Sequence, residues 1–100
     1  MKRHFKFRLY TTGDTRNSTE ARFNLAAICR QHLPGQHEIE IVDVLKEPTR
    51  ALDDGVYMTP TLVKLAPSPT QKLFGNLSQT ATVLAALGLE TKTLPTILPL

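Results

Sequence analysis

The stretch Val56–Ser78, VYMTPTLVKLAPSPTQKLFGNLS, constrains this chain more than any other. It holds Pro60, Pro67 and Pro69, three of the seven prolines, and no acidic residue. Proline fixes φ and removes a backbone donor, so three within such a short span leave few paths open. Each X–Pro bond also adopts cis at low cost and exchanges slowly. The stretch is therefore tightly specified, slowly switchable, or both. Two β-prone runs, Thr61–Leu65 and Gln71–Phe74, flank the Pro-Ser-Pro connector and predict an antiparallel hairpin. Gly75-Asn76 breaks the second run, and Ser78 is placed to cap a helix.

The preceding residues supply a strand, a helix and a second strand. In His4–Tyr10, Phe5, Phe7 and Leu9 share one parity, and His4, Lys6 and Arg8 the other. Period two predicts a strand with a buried face and a wet, basic one. Gly13 marks a turn, and Asn17 with Glu20 has the form of a capping box. Ala21, Leu25, Ile28 and Cys29 follow helical spacing, with His32 near the end as a structural residue, and Pro34-Gly35 stops the helix. Glu38–Leu45 reads as a strand whose second half is buried on both sides, with Asp43 bonding to a nearby turn.

Glu47–Gly55 predicts a short helix, with Pro48 at its first position and Gly55 at its stop. Its Asp53-Asp54 pair reads as solvated charge, because adjacent helical residues do not face each other. A last helix runs from about Gln79 to Leu87 and ends at Gly88. The tail, Leu89–Leu100, ends TLPTILPL. Pro95 and Pro99 disfavour helix there; Leu94, Ile97, Leu98 and Leu100 favour an apolar strap on a neighbouring surface over disorder. The order βαβαββα is a thioredoxin-like α/β arrangement, expected as one domain over 1–100 with a core of about 5–88 and a tail of 89–100.

Composition narrows the function classes. The N-terminal basic start is followed by charged residues, not an apolar run, and no stretch is long enough to span a membrane, so the cytoplasm is the expected location. The net charge of +3 is mild and reads as a solvated surface. A lone cysteine excludes an internal disulfide. A thioredoxin-like redox enzyme places its reactive cysteine between the first strand and first helix. That loop here is Thr11–Asn17, with no cysteine, while Met58-Thr59-Pro60-Thr61 looks like the segment carrying the cis-proline of that fold. Cys29 lies on the apolar stripe of the helix and reads as an inert core thiol. His4, His32 and His37 are too dispersed for a metal site, and no phosphate-cradling glycine loop is present. No cofactor is expected. Nucleic-acid binding through Phe5, Phe7 and Tyr10 beside Lys6 and Arg8 is the weaker reading, since the two phenylalanines serve a core. A binding module is favoured over an enzyme, with thiol or glutathione chemistry as the alternative.

Four segments together resemble the KaiB family: Arg8–Thr15, Val42–Pro48, Thr59–Lys64 and Gly75–Ser78. The resemblance implies a non-enzymatic adaptor for a KaiC-like ATPase, with KaiA-like and SasA-like proteins as further partners. It also implies two folds, a homo-oligomeric (dimeric or tetrameric) ground state with a different C-terminal half and a thioredoxin-like monomer. On this resemblance Arg8, Lys64 and Lys72 occupy partner-binding positions. Phe5, Pro60, Pro67, Pro69, Gly75 and Asn76 fall in the region that switches fold. Glu20 and Glu40 stand where clock members tend to be basic, Gly75-Asn76 replaces Gly-Asp, and the tail is apolar where an acidic one is usual. These departures imply a divergent paralogue with its own KaiC-like partner or a stress-related role.

Overall fold

A computed structural model describes residues 4–89. Its elements are β1 (Phe5–Thr11), α1 (Arg16–His32), β2 (His37–Asp43), α2 (Pro48–Asp53), β3 (Thr61–Ala66), β4 (Gln71–Phe74) and α3 (Thr80–Leu87). The strands form one mixed sheet in the order β2-β1-β3-β4. β1 and β2 run parallel, joined through α1, and β3 and β4 are antiparallel additions. The predicted thioredoxin-like order is the observed one. The tail strap falls outside the described residues.

The alternation of β1 decides how the layers pack. Phe5, Phe7 and Leu9 face α1 and α3, where Leu25, Ile28, Leu62, Leu84 and Leu87 complete the larger core. Tyr10 points the other way and packs with Val42, Ala51, Val56 and Val63 under α2. β3 therefore has apolar neighbours on both sides, and Thr61, Leu62, Val63 and Lys64 are all buried. α2 is only six residues long, so it covers one end of its sheet face and leaves the rest open.

Three local expectations are corrected. α1 begins at Arg16, so Asn17 lies inside its exposed first turn and forms no capping box. Ser18 turns back instead, its hydroxyl accepting the Thr12 N–H at 2.9 Å. The second half of β2 is not covered on both sides: β2 is an edge strand, and Ile41 is 43% exposed. Ser78 does not cap α3, whose first helical residue is Thr80; the Ser78 N–H donates to Asn76 Oδ1 at 3.0 Å. Asp43 does hold the turn as expected, accepting from the N–H groups of Gly13 at 3.2 Å and Leu45 at 2.9 Å.

Candidate partner-binding surface

Sheet register sets the predicted cations on opposite faces. Glu40, Arg8, Val63 and Lys72 stand in one row across β2, β1, β3 and β4, on the α2 side. Lys64 pairs with Phe7 and so lies on the α1 side. It is 4% exposed, with Nζ 6.0 Å from the centre of the Phe5 ring. The structure thus brings Arg8 and Lys72 to one face and sets Lys64 against the larger core. Cation–aromatic contact offsets part of the cost of covering an ammonium group.

Arg8 is held on both sides. Its Nε donates to Glu40 at 2.8 Å and its Nη1 to Asp54 at 2.9 Å. Arg50 Nη2 reaches the other oxygen of Glu40 at 2.8 Å, and Arg50 Nη1 lies 3.3 Å from Glu47. Tyr10 donates its hydroxyl to Asp54, and the Arg50 carbonyl lies 3.1 Å from the same hydroxyl. This network ties α2 to β1 and β2. It corrects the reading of Asp54 as solvated charge. The hydrogen bond from Tyr10 and then that from Arg8 hold the Asp54 carboxyl below the usual carboxylate range. Bonds from Arg8 and Arg50 do the same for Glu40. Burial, with the bond to Asp54 second, pushes the Tyr10 hydroxyl up to about 12. Lys72 is exposed, its Nζ 3.5 Å from the Gly55 carbonyl.

The predicted switch residues fall at both ends of the sheet. At the end where β3 begins, the Gly75 N–H donates to the Pro60 carbonyl at 3.0 Å, and Gly75 has φ +101°. Asn76 Nδ2 donates to Glu20 at 3.0 Å, and its carbonyl accepts from Asn24 Nδ2 at 2.9 Å. Pro60, Gly75 and Asn76 thus meet there, tied to α1. Pro67 and Pro69 lie in the β3–β4 connector at the other end, where Ala66 pairs with Lys6, next to Phe5 in β1.

Beside Thr59 runs an open groove of about 450 Å³, lined by Val44, Pro48, Ala51, Leu52, Val56 and Met58, among others. The Thr59–Pro60 peptide is cis, and the Thr59 and Thr12 hydroxyls are in hydrogen-bond contact. A hydroxyl pair thus occupies the place where redox members of this fold keep thiol chemistry. Cys29 is far along α1, fully covered, and burial pushes its thiol up to about 11. Among the described residues, no group of His, Cys, Asp and Glu is arranged to hold a metal ion, and no helix is long and apolar enough to cross a membrane.

The KaiB domain family matches residues 8–89. The chain belongs to the KaiB family of circadian clock proteins. It is 40% identical over 92 residues to the circadian clock protein KaiB3 of Synechocystis sp., covering 92% of this chain and 90% of that protein. It is 38% identical over 89 residues to the circadian clock oscillator protein KaiB of Trichodesmium erythraeum, covering 89% and 86%. Among solved structures, the N-terminal domain of Synechococcus elongatus SasA aligns with TM-score 0.71 at 17% identity, covering 95% of this chain and 92% of that domain. Mitochondrial thioredoxin 3 of Saccharomyces cerevisiae aligns with TM-score 0.68 at 16% identity, covering 85% and 78%. The two structural likenesses establish the thioredoxin-like fold.

Sequence reasoning missed two parts of this surface. The Arg8–Asp54–Tyr10 cluster joins residues 44 and 46 positions apart, which no local pattern reports. The groove's exposed apolar rim was legible only as single residues outside any helical or strand period.

Proposed function

We propose that this KaiB-family chain is a non-enzymatic adaptor that docks on a KaiC-family ATPase and serves a clock or stress-related signalling system. The observation that carries the reading is the site beside Pro60: the scaffold of a thiol enzyme bears a threonine pair there, and the lone thiol is buried elsewhere. The family's clock role supplies the partner class. Docking uses the cations of Arg8, Lys64 and Lys72. Lys72 is the residue exposed for direct contact, Arg8 shapes the same face through its network, and Lys64 supports it from the core side. KaiA-like and SasA-like proteins are further candidate partners, the chain works in the cytoplasm, and homo-oligomers form its resting state. Refolding of the C-terminal half, with Phe5, Pro60, Pro67, Pro69, Gly75 and Asn76 in the affected region, regulates access.

The test is a pull-down with KaiC-like ATPases, with and without nucleotide. Lys72→Glu should weaken capture and reduce its salt sensitivity. Undiminished capture by Lys72→Glu removes this docking face, and capture by no KaiC-like protein removes the adaptor reading. Reduction of insulin disulfides that is abolished in Cys29→Ser would replace it with thiol chemistry.

A further inference from the structure

Helix α1 keeps one side against the sheet, where Ser18, Ala21, Leu25, Ile28 and Cys29 are buried. Arg16, Thr19, Phe23, Ala26 and Arg30 are exposed and fall on the far side at helical spacing. Their alternating steps of three and four residues are those of a seam along which one helix packs on another. Phe23, at its middle, is 72% exposed, with the small residues Thr19 and Ala26 one turn to either side.

The seam does little for the fold itself. Arg16 is the first helical residue, where the helix dipole disfavours a cation, and its side chain is 90% exposed. Its 3.3 Å contact with Glu20 runs in the less favourable order, cation first. Arg30 is exposed and, among the described residues, makes no ion pair or side-chain hydrogen bond. A single exposed apolar residue is ordinary on a protein surface. Here an aromatic ring shares one line with two arginines, the residue types enriched at protein interfaces. Charge selects the occupant. α1 carries three arginines and one carboxylate, Glu20, which also accepts from Asn76 Nδ2 at 3.0 Å. A second copy of α1 fits poorly: antiparallel pairing sets Arg16 against Arg30, and parallel pairing sets each arginine against itself. Phosphate backbones and anionic bilayers call for a broad basic surface, whereas these cations stand about 21 Å apart at helical rise on a narrow line. A partner helix along the seam meets both when it carries carboxylates two heptads apart, with apolar residues between them to cover Phe23.

We propose that the outer seam of α1 is a docking surface for an acidic amphipathic helix of a partner protein. Phe23 is its apolar anchor, and Arg16 and Arg30 are its charged ends. α1 packs on the opposite side of the sheet from Arg8 and Lys72, so this is a second surface, independent of the docking face in the adaptor reading.

The probe is a synthetic helix three heptads long, with leucines along one seam and glutamates two heptads apart at its ends. Added to the full chain labelled with nitrogen-15, it should shift the amide signals of residues 16–30 and saturate. A version with lysines in place of the glutamates should bind at least about tenfold more weakly. The double variant Arg16→Glu, Arg30→Glu should reverse that preference. Phe23→Asp should weaken binding by about tenfold or more. Phe23→Ala should leave the melting temperature unchanged or raise it, which reports an intact fold, and Lys72→Glu should leave peptide binding as it is. Equal binding of the two peptides, binding retained in Phe23→Asp, or no saturable shift along α1 overturns the proposal. Self-association of the chain that Phe23→Asp abolishes overturns the acidic partner and assigns the seam to a second copy.

Discussion

Removing the Asp54 carboxylate tests whether the network of Arg8, Tyr10 and Asp54 holds α2 on the sheet. In Asp54→Ala, Arg8 loses one of its two acidic partners and Tyr10 loses the acceptor of its proton. The carboxylate is 28% exposed and Arg8 23%, so the pair stands between surface and interior. Exposed pairs contribute about 0.2–1 kcal/mol. Breaking a buried pair costs about 3–5 kcal/mol. Here Arg8 keeps Glu40, and Tyr10 can turn to the Arg50 carbonyl at 3.1 Å, which moderates the loss. The expected cost is about 2 kcal/mol, by interpolation between those two limits. For a chain of this size that lowers the melting temperature by about 8–16 °C. Urea unfolding of wild type, Asp54→Ala, Arg8→Met and the double variant completes the cycle. The double variant should be less destabilised than the sum of the singles, by about 1–2 kcal/mol. Additive singles, or an Asp54→Ala midpoint equal to wild type, would refute the argument. Lys72 makes none of these hydrogen bonds and acts on Asp54 only through its charge, so Lys72→Glu perturbs the network less than Asp54→Ala and is the cleaner probe of docking.

Other outcomes follow from the same geometry. Asp54 and Glu40 are held below the usual carboxylate range, so the unfolded chain takes up protons first as pH falls. Their stabilisation is complete above about pH 4 to 5, the unfolded carboxylate range, and is lost as pH falls through the folded values. Urea midpoints should drop there, and Asp54→Asn should flatten the drop. Gly75→Ala should cost about 1–3 kcal/mol in unfolding experiments. A Cβ there meets no atom within 4 Å, so the penalty comes from φ +101° alone. Cys29 should resist thiol reagents at neutral pH in the folded chain and react promptly in denaturant, because its thiol is both covered and raised to about 11.

The seven elements were legible because each carries a local signal. Alternation in β1, the apolar stripe of α1 and the Pro-Ser-Pro connector are all written within a few residues of each other. Boundaries set by tertiary contact were not. Asn17 has capping chemistry, yet the helix starts one residue earlier, with Ser18 bonded to the loop. Ile41 is apolar enough for a core strand, but the order β2-β1-β3-β4 leaves it at an edge. Lys64 lies in a run that reads as strand, and its face is fixed only by pairing with Phe7. The Asp53-Asp54 pair shows the same limit: helical geometry rightly separates the neighbours, but only the folded sheet supplies Arg8 and Tyr10 to one of them.

The strand order also sets where this molecule is easiest to open. β1 and β3 each have a partner on both sides, whereas β4 is four residues long and paired on one side only. Amide hydrogens of the central ladder should therefore exchange only in large openings, and those of 71–74 in local ones of lower free energy. The chain is thus graded from a slow-exchanging centre at β1 and β3 to faster-exchanging edges, of which the four-residue β4 is the shorter. Any rearrangement of its C-terminal part begins by peeling a four-residue ladder, with the seven-residue pairing of β1 and β2 left closed.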